Sequence, residues 1–119
     1  MPRTRLALVA VVAALALVIA AAAQATAPPL VGTVGPGFTI TLTQLGKKVT
    51  KLKAGTYTIK VSDKSSIHNF HLTGPGRLNK ATSVSATGSS TWVVKLVKGT
   101  YKFVCDPHAA IMKGSVIVS

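Results

Sequence analysis

Cys105, His108 and Met112 place a thiol, an imidazole and a thioether within one short stretch, Cys105-Asp106-Pro107-His108-Ala109-Ala110-Ile111-Met112. Soft sulfur donors select copper among the common metals, and imidazole suits copper in both oxidation states. The spacing C-x2-H-x3-M allows one tight loop to aim all three donors at a point. Cys105 is the single cysteine, which excludes an internal disulfide and leaves the thiol for a metal, an intermolecular bridge or reactive chemistry. A second imidazole is available in Ile67-His68-Asn69-Phe70-His71-Leu72. Read as a strand, this segment puts His68 on the apolar face with Phe70 and Leu72, and puts His71 on the other face with Ile67 and Asn69. Two imidazoles, a thiolate and a weak axial thioether form the donor set of a blue-copper electron-transfer centre. His71, outward and with no donor near it in sequence, is expected to be an ordinary surface residue.

The elements that must position these groups show a period of two. Phe38, Ile40 and Leu42 alternate with threonines; Tyr57, Ile59 and Val61 alternate with Thr58, Lys60 and Ser62. Trp92, Val94 and Leu96 oppose Val93, Lys95 and Val97, and Tyr101, Phe103 and Cys105 oppose Lys102 and Val104. Trp92 is therefore expected in the core. Short strands separated by Gly, Pro, Ser and Lys-rich turns predict an all-β antiparallel sandwich, with no helix after residue 25. Ala54-Gly55-Thr56-Tyr57 and Lys98-Gly99-Thr100-Tyr101 echo one another, as two equivalent corners of a Greek-key sandwich would. Gly74-Pro75-Gly76 reads as a turn. The Lys47, Lys48, Lys51 and Lys53 cluster reads equally as edge-strand protection or as a docking patch.

Residues 1–25 carry Arg3 and Arg5, then the apolar run Leu6 to Ala23, then Ala23-Gln24-Ala25. That is the pattern of a secretory signal peptide cleaved after Ala25, with an uncleaved membrane anchor as the other reading. Residues 26–36 hold Pro28, Pro29, Gly32, Gly35 and Pro36 and are expected to be a linker or a first edge strand. Residues 37–119 are expected to form the copper-binding domain. The chain of 119 residues is one domain's worth. Beyond residue 25, eleven lysines and Arg77 face only Asp63 and Asp106, a net charge of +10. The hydrophobic fraction of 48% excludes a disordered polycation. Three histidines and two carboxylates leave too few ligands for a multi-copper enzyme, so no catalytic residues are assigned. Aromatics at 5% and an export signal speak against nucleic acid as a partner.

The segment His68-Asn69-Phe70, the run Gly99-Thr100-Tyr101-Lys102-Phe103-Val104-Cys105-Asp106-Pro107-His108 and the nearby Met112-Lys113-Gly114 resemble the cupredoxin family, in particular its plastocyanin, amicyanin and pseudoazurin branch. The resemblance covers about residues 37–119. It implies an eight-stranded Greek-key β-sandwich with one type 1 copper ion near one end, held by His68, Cys105 and His108 with Met112 axial. It departs from the family in having three residues between the loop His and Met, where close relatives have two or four. Asn69 resembles the family residue that ties the two ligand segments together. Pro107 has no N–H to donate to the Cys105 sulfur, which leaves more electron density on the thiolate. The implied function is one-electron transport through the edge of His108, with Ala109, Ala110 and Ile111 as a small apolar contact and Lys113 beside it. The expected protein is an exported monomer, periplasmic or extracellular, or held at the cell envelope, and its redox partner is acidic. Copper binding or delivery without a dedicated electron-transfer role is the alternative.

Overall fold

Alternating apolar residues can bury one face of a strand only if a second sheet covers it, and the chain answers with two five-stranded sheets face to face. The computed structural model describes residues 26–119. The expected signal segment, residues 1–25, lies outside them. The strands are β1 (Leu30–Val34), β2 (Ile40–Gln44), β3 (Lys47–Lys48), β4 (Lys51–Leu52), β5 (Gly55–Asp63), β6 (His71–Gly74), β7 (Leu78–Ala81), β8 (Gly88–Leu96), β9 (Gly99–Val104) and β10 (Lys113–Val118). These are ten strands against the eight implied by the resemblance, and β3 and β4 are only two residues each. The sole helical element among the described residues is one 3-10 turn, Asp106–His108.

One sheet runs β3-β2-β1-β5-β8 and the other β4-β10-β9-β6-β7. Neighbours are antiparallel except β1 with β5 and β4 with β10. In the long β5–β8 pair, Tyr57 opposes Val94 and Ile59 opposes Trp92. Tyr57, Ile59, Val61, Val94 and Leu96 meet Leu72, Tyr101, Phe103, Val116 and Val118 of the other sheet in one core, with Trp92 partly buried against it. Each fully buried side chain of this size contributes roughly 1.5–3 kcal/mol. Lys47, Lys48 and Lys51 lie on the short outer strands of the two sheets, where lysine discourages edge-to-edge pairing.

Residues 26–36 are neither a linker nor an edge. Within them β1 is the middle strand of its sheet, between β2 and β5, with Leu30 and Val34 in the core. The glycine that read as turn punctuation has a packing role: a Cβ on Gly32 would stand 2.8 Å from the ring of Phe70. Phe38, the first apolar residue of the alternating run, precedes β2 and is 58% exposed.

An aromatic stack lies at the site end of the strands, and two tyrosines fasten their far ends. The rings of Phe70 and Phe103 stack at 5.6 Å with planes 6° apart. Phe70 follows His68 and Phe103 precedes Cys105, so the stack joins both donor-bearing segments from beneath. The buried tyrosines of the two echoed corners fasten the strand entries. Tyr57 Oη–H donates to the carbonyl of Lys53 at 2.7 Å. Tyr101 Oη accepts from the N–H of Val97 at 3.0 Å and donates to the carbonyl of Pro75 at 2.9 Å. The bonds to Lys53 and Val97 reach back four residues, to the start of the turn that each tyrosine closes, and the bond to Pro75 ties the entry of β9 to the turn after β6.

Candidate metal centre

The donors come from two segments. Cys105 follows β9 and lies at 0% exposure. Its N–H donates to the carbonyl of Met112 at 3.0 Å, which closes the stretch between them into a loop. Inside the loop, the N–H of His108 donates to Cys105 O at 3.0 Å and the N–H of Met112 donates to His108 O at 2.9 Å. Pro107 occupies the 3-10 turn, where its missing N–H leaves no intrahelical bond unmade. Met112 is buried at 1% exposure, His108 is half-buried, and Ala109, Ala110, Ile111 and Lys113 are exposed.

His68 belongs to the irregular connection between β5 and β6 and not to a strand, since β6 begins only at His71. It is buried at 0% exposure. Because the connection is irregular, alternation fails there: Asn69, expected on the outer face, is 3% exposed. Asn69 Oδ1 accepts the N–H of Asp106 at 2.8 Å, and its Nδ2–H donates to Asp106 Oδ2 at 2.8 Å. Two bonds thus tie the His68 segment to the Cys105 loop.

Nδ1 of His68 and Nδ1 of His108 lie 3.0 Å apart, and each lies 3.6 Å from Cys105 Sγ. A point about 2 Å from all three atoms exists inside this triangle, close to the length of a first-row metal bond to imidazole or thiolate. His68, Cys105 and His108 are the one such grouping of His, Cys or carboxylate residues among those described. A buried structural histidine normally has both ring nitrogens hydrogen-bonded. His68 Nε2 is buried with no partner, and its Nδ1 faces another Nδ1 and a sulfur. The ring is therefore not held by a hydrogen-bond network of its own. Nitrogens and a thiol converging at this range fit a shared soft cation.

Two residues near the centre differ from expectation or went unnoticed. His71 is not a free surface residue. Its Nδ1 lies 2.8 Å from Asp106 Oδ1, its Nε2 lies 2.7 Å from Asn79 Oδ1, and its side chain is 24% exposed. The hydrogen bond to Asp106 raises the His71 pKa above its ordinary value; burial opposes, while Asn79 and the charge of Asp106 add to the rise. Burial alone would push the Asp106 carboxyl upward, but hydrogen bonds from Asn69 and His71 and the charge of His71 bring it below its ordinary value. Phe38 stands in the sequence only as the first apolar residue of an alternating run. Its ring stands edge-on to both imidazoles, with centroids 5.1 Å from His68 and 4.9 Å from His108. The clue was Gly35-Pro36-Gly37 just before it, which breaks the strand and frees the ring to turn over the site.

A family model for copper binding proteins of the plastocyanin/azurin family matches residues 43–119. Among solved structures, reduced rusticyanin is similar with a TM-score of 0.56 at 22% identity, covering 82% of this chain and 82% of that one. Rusticyanin from Thiobacillus ferrooxidans at 1.27 Å gives a TM-score of 0.54 at 23% identity, covering 81% and 79%. A reduced amicyanin variant gives 0.51 at 18% identity, covering 81% and 87%. These structures support the sandwich fold. No curated protein sequence matches the chain.

Proposed function

Since the chain belongs to the plastocyanin/azurin family of copper binding proteins, we propose that it is an exported one-electron carrier with a single type 1 copper site, whose ion His68, Cys105, His108 and Met112 would hold. When bound, the copper supplies a Cu(II)/Cu(I) couple that accepts and releases one electron. The side chains do the rest. Cys105 and His68 are buried and would keep water from the donors. His108 is the half-buried ligand and offers its edge to a partner. Phe38, Ala109, Ala110 and Ile111 give that edge an apolar surround suited to brief contact. No side chain is assigned to bond making or breaking, and the protein is read as a carrier and not an enzyme.

The observation that carries this reading is the triangle of 3.0 and 3.6 Å between one thiol and two imidazoles, two of the three fully buried. Burial also favours transport over metal delivery, because a delivered ion must be reached by the next ligand. The sandwich is read as a Greek key: from β5 the chain crosses to the other sheet for β6 and β7, returns for β8 and crosses again for β9. Residues 1–25 are read as the export signal. Among the described residues no helix is long and apolar enough to cross a membrane.

The mature domain is read as a monomer with an acidic redox partner. Support comes from the net charge of +10 beyond residue 25 and from the internal use of both carboxylates, Asp63 by Ser65 and Thr82 and Asp106 by Asn69 and His71. Such a field speeds encounter with an anionic surface and is screened within about 8 Å at physiological ionic strength. Electron transfer is expected to slow as salt is added.

The test is the visible spectrum on adding Cu(II). An intense band that bleaches on reduction is expected, and Cys105→Ser or His68→Ala should abolish it. A colourless wild-type protein, or a Cys105→Ser form that keeps the band, would sink the reading. Met112→Gln should keep the colour and lower the potential.

A further inference from the structure

The backbone-to-backbone hydrogen bonds of the Cys105–Met112 loop fix its shape, each ending within the loop, while the paired strands β9 and β10 hold its two ends. Besides the buried Cys105 and Met112 side chains and the approach of Cys105 and His108 to His68, the side-chain polar contacts that fasten it all pass through Asp106. From the inner side Asn69 holds both the N–H and one carboxylate oxygen of Asp106. From the outer side His71 Nδ1 lies 2.8 and 3.0 Å from the two carboxylate oxygens. His71 opens β6 and sits opposite Val104 of β9 and Ala81 of β7. Its far nitrogen is held in turn by Asn79 of β7. A surface histidine without a task leaves at least one nitrogen to water. Here both face acceptors, and one acceptor lies between two of the loop's donor residues.

We propose that His71 is a positioning residue for the metal centre: with Asn69 it clamps Asp106 from two sides and so sets where the Asp106–His108 turn presents Cys105 and His108 toward His68. Asn79 orients the His71 ring. The proposal rests on the assignment of His68, Cys105 and His108 as ligands. Residues hydrogen-bonded directly to metal ligands typically change metal affinity by about 10–100-fold when removed, and His71 acts one residue further out, through Asp106. The pair is half-open to solvent, which points to the lower end of that range.

The experiment compares the wild-type protein with His71→Ala and His71→Gln. It uses Cu(II) affinity by chelator competition, the energy of the visible band, amide exchange of residues 106–112 in the metal-free protein, and urea unfolding. His71→Ala is expected to lose about tenfold in Cu(II) affinity, to shift the band and to speed exchange at the Asp106 amide. His71→Gln keeps a donor toward Asp106 and should recover part of each. Unchanged affinity, band and exchange in His71→Ala would overturn the proposal. So would a variant that loses unfolding stability while affinity and band stay put, since His71 would then brace the sheet alone. If the wild-type protein shows no band with Cu(II), the ligand assignment fails, and with it the claim that His71 positions ligands. Faster exchange at Asp106 would then report a loop clamp only.

Discussion

Asp63 ends β5 and leads into the segment that carries His68, whereas Asp106 follows β9 and leads into the loop that carries His108. Each half of the centre is thus fastened by one of the chain's two carboxylates. Asp63 is 4% exposed and takes only neutral donors: the N–H of Ser65 at 3.2 Å and the hydroxyl of Thr82 at 2.8 Å. Thr82 in turn accepts the N–H of Phe70 at 2.9 Å and donates its own N–H to the Phe70 carbonyl at 3.0 Å. Asp106 has a 49% exposed side chain and takes an amide and an imidazole that gains charge by the contact. The inner half is held by burial, the outer half by adjustable charge. A buried acceptor is costly to remove because its donors are left dry, whereas an exposed ion pair is backed up by water.

The largest expected effect is therefore at Asp63. Asp63→Ala should cost about 2–4 kcal/mol in urea unfolding of the metal-free protein, since both Ser65 N–H and the Thr82 hydroxyl lose their acceptor. A loss under about 1 kcal/mol would break the comparison. Next comes Asn69→Ala, which removes both bonds to Asp106 from a buried position. A cost of about 1–2 kcal/mol is expected by the same measurement. Asp106→Asn keeps the shape and removes the charge; solvent screening limits its cost to about 1 kcal/mol or less. If Asp106→Asn proved as damaging as Asp63→Ala, the two halves would be fastened alike.

The smallest effect is a pH dependence. The His71 pKa is raised above 6.5, mainly by its bond to Asp106, so its contribution is whole below pH 6.5 and fades as pH rises through the raised value. The Asp106 pKa is lowered beneath 3.8, the bonds from Asn69 and His71 outweighing burial, so its contribution is whole above pH 3.8 and fades as pH falls through the lowered value. The stability difference between wild-type protein and His71→Ala, metal-free, should be flat between those two pH values and shrink on either side. Its height should be a few tenths of a kcal/mol to about 1 kcal/mol. A difference that keeps growing above pH 8 would mean that His71 contributes as a neutral ring.

The residues proposed as ligands were legible because three of them crowd one stretch and chemistry restricts what a thiol, an imidazole and a thioether share. The long strands were legible because period two survives wherever a sheet has one wet face, as in Tyr57–Val61 and Tyr101–Phe103. What escaped lies where that rule lapses. Gly32 signalled a turn, yet its role is to admit the Phe70 ring, a contact between residues far apart in sequence. The connection before β6 is irregular, so counting faces misplaced Asn69. His71 and Phe38 depend on where Asp106 and the two imidazoles end up in space, and no local pattern encodes that.

The pairing of β10 with both β9 and β4 sets an order of assembly. The second sheet cannot close until β10, which follows the Cys105–Met112 loop, has docked. During synthesis His68 is made long before Cys105, and a chain halted between them holds one of the two proposed ligand imidazoles and no thiol. The same event that completes the sheet buries the thiol and brings the donors together. Folding dominated by such distant pairings takes roughly milliseconds to seconds, and for that interval the thiol stands open to oxidants. The complete set of proposed donors, His68 together with Cys105, His108 and Met112, is thereby assembled only late in folding.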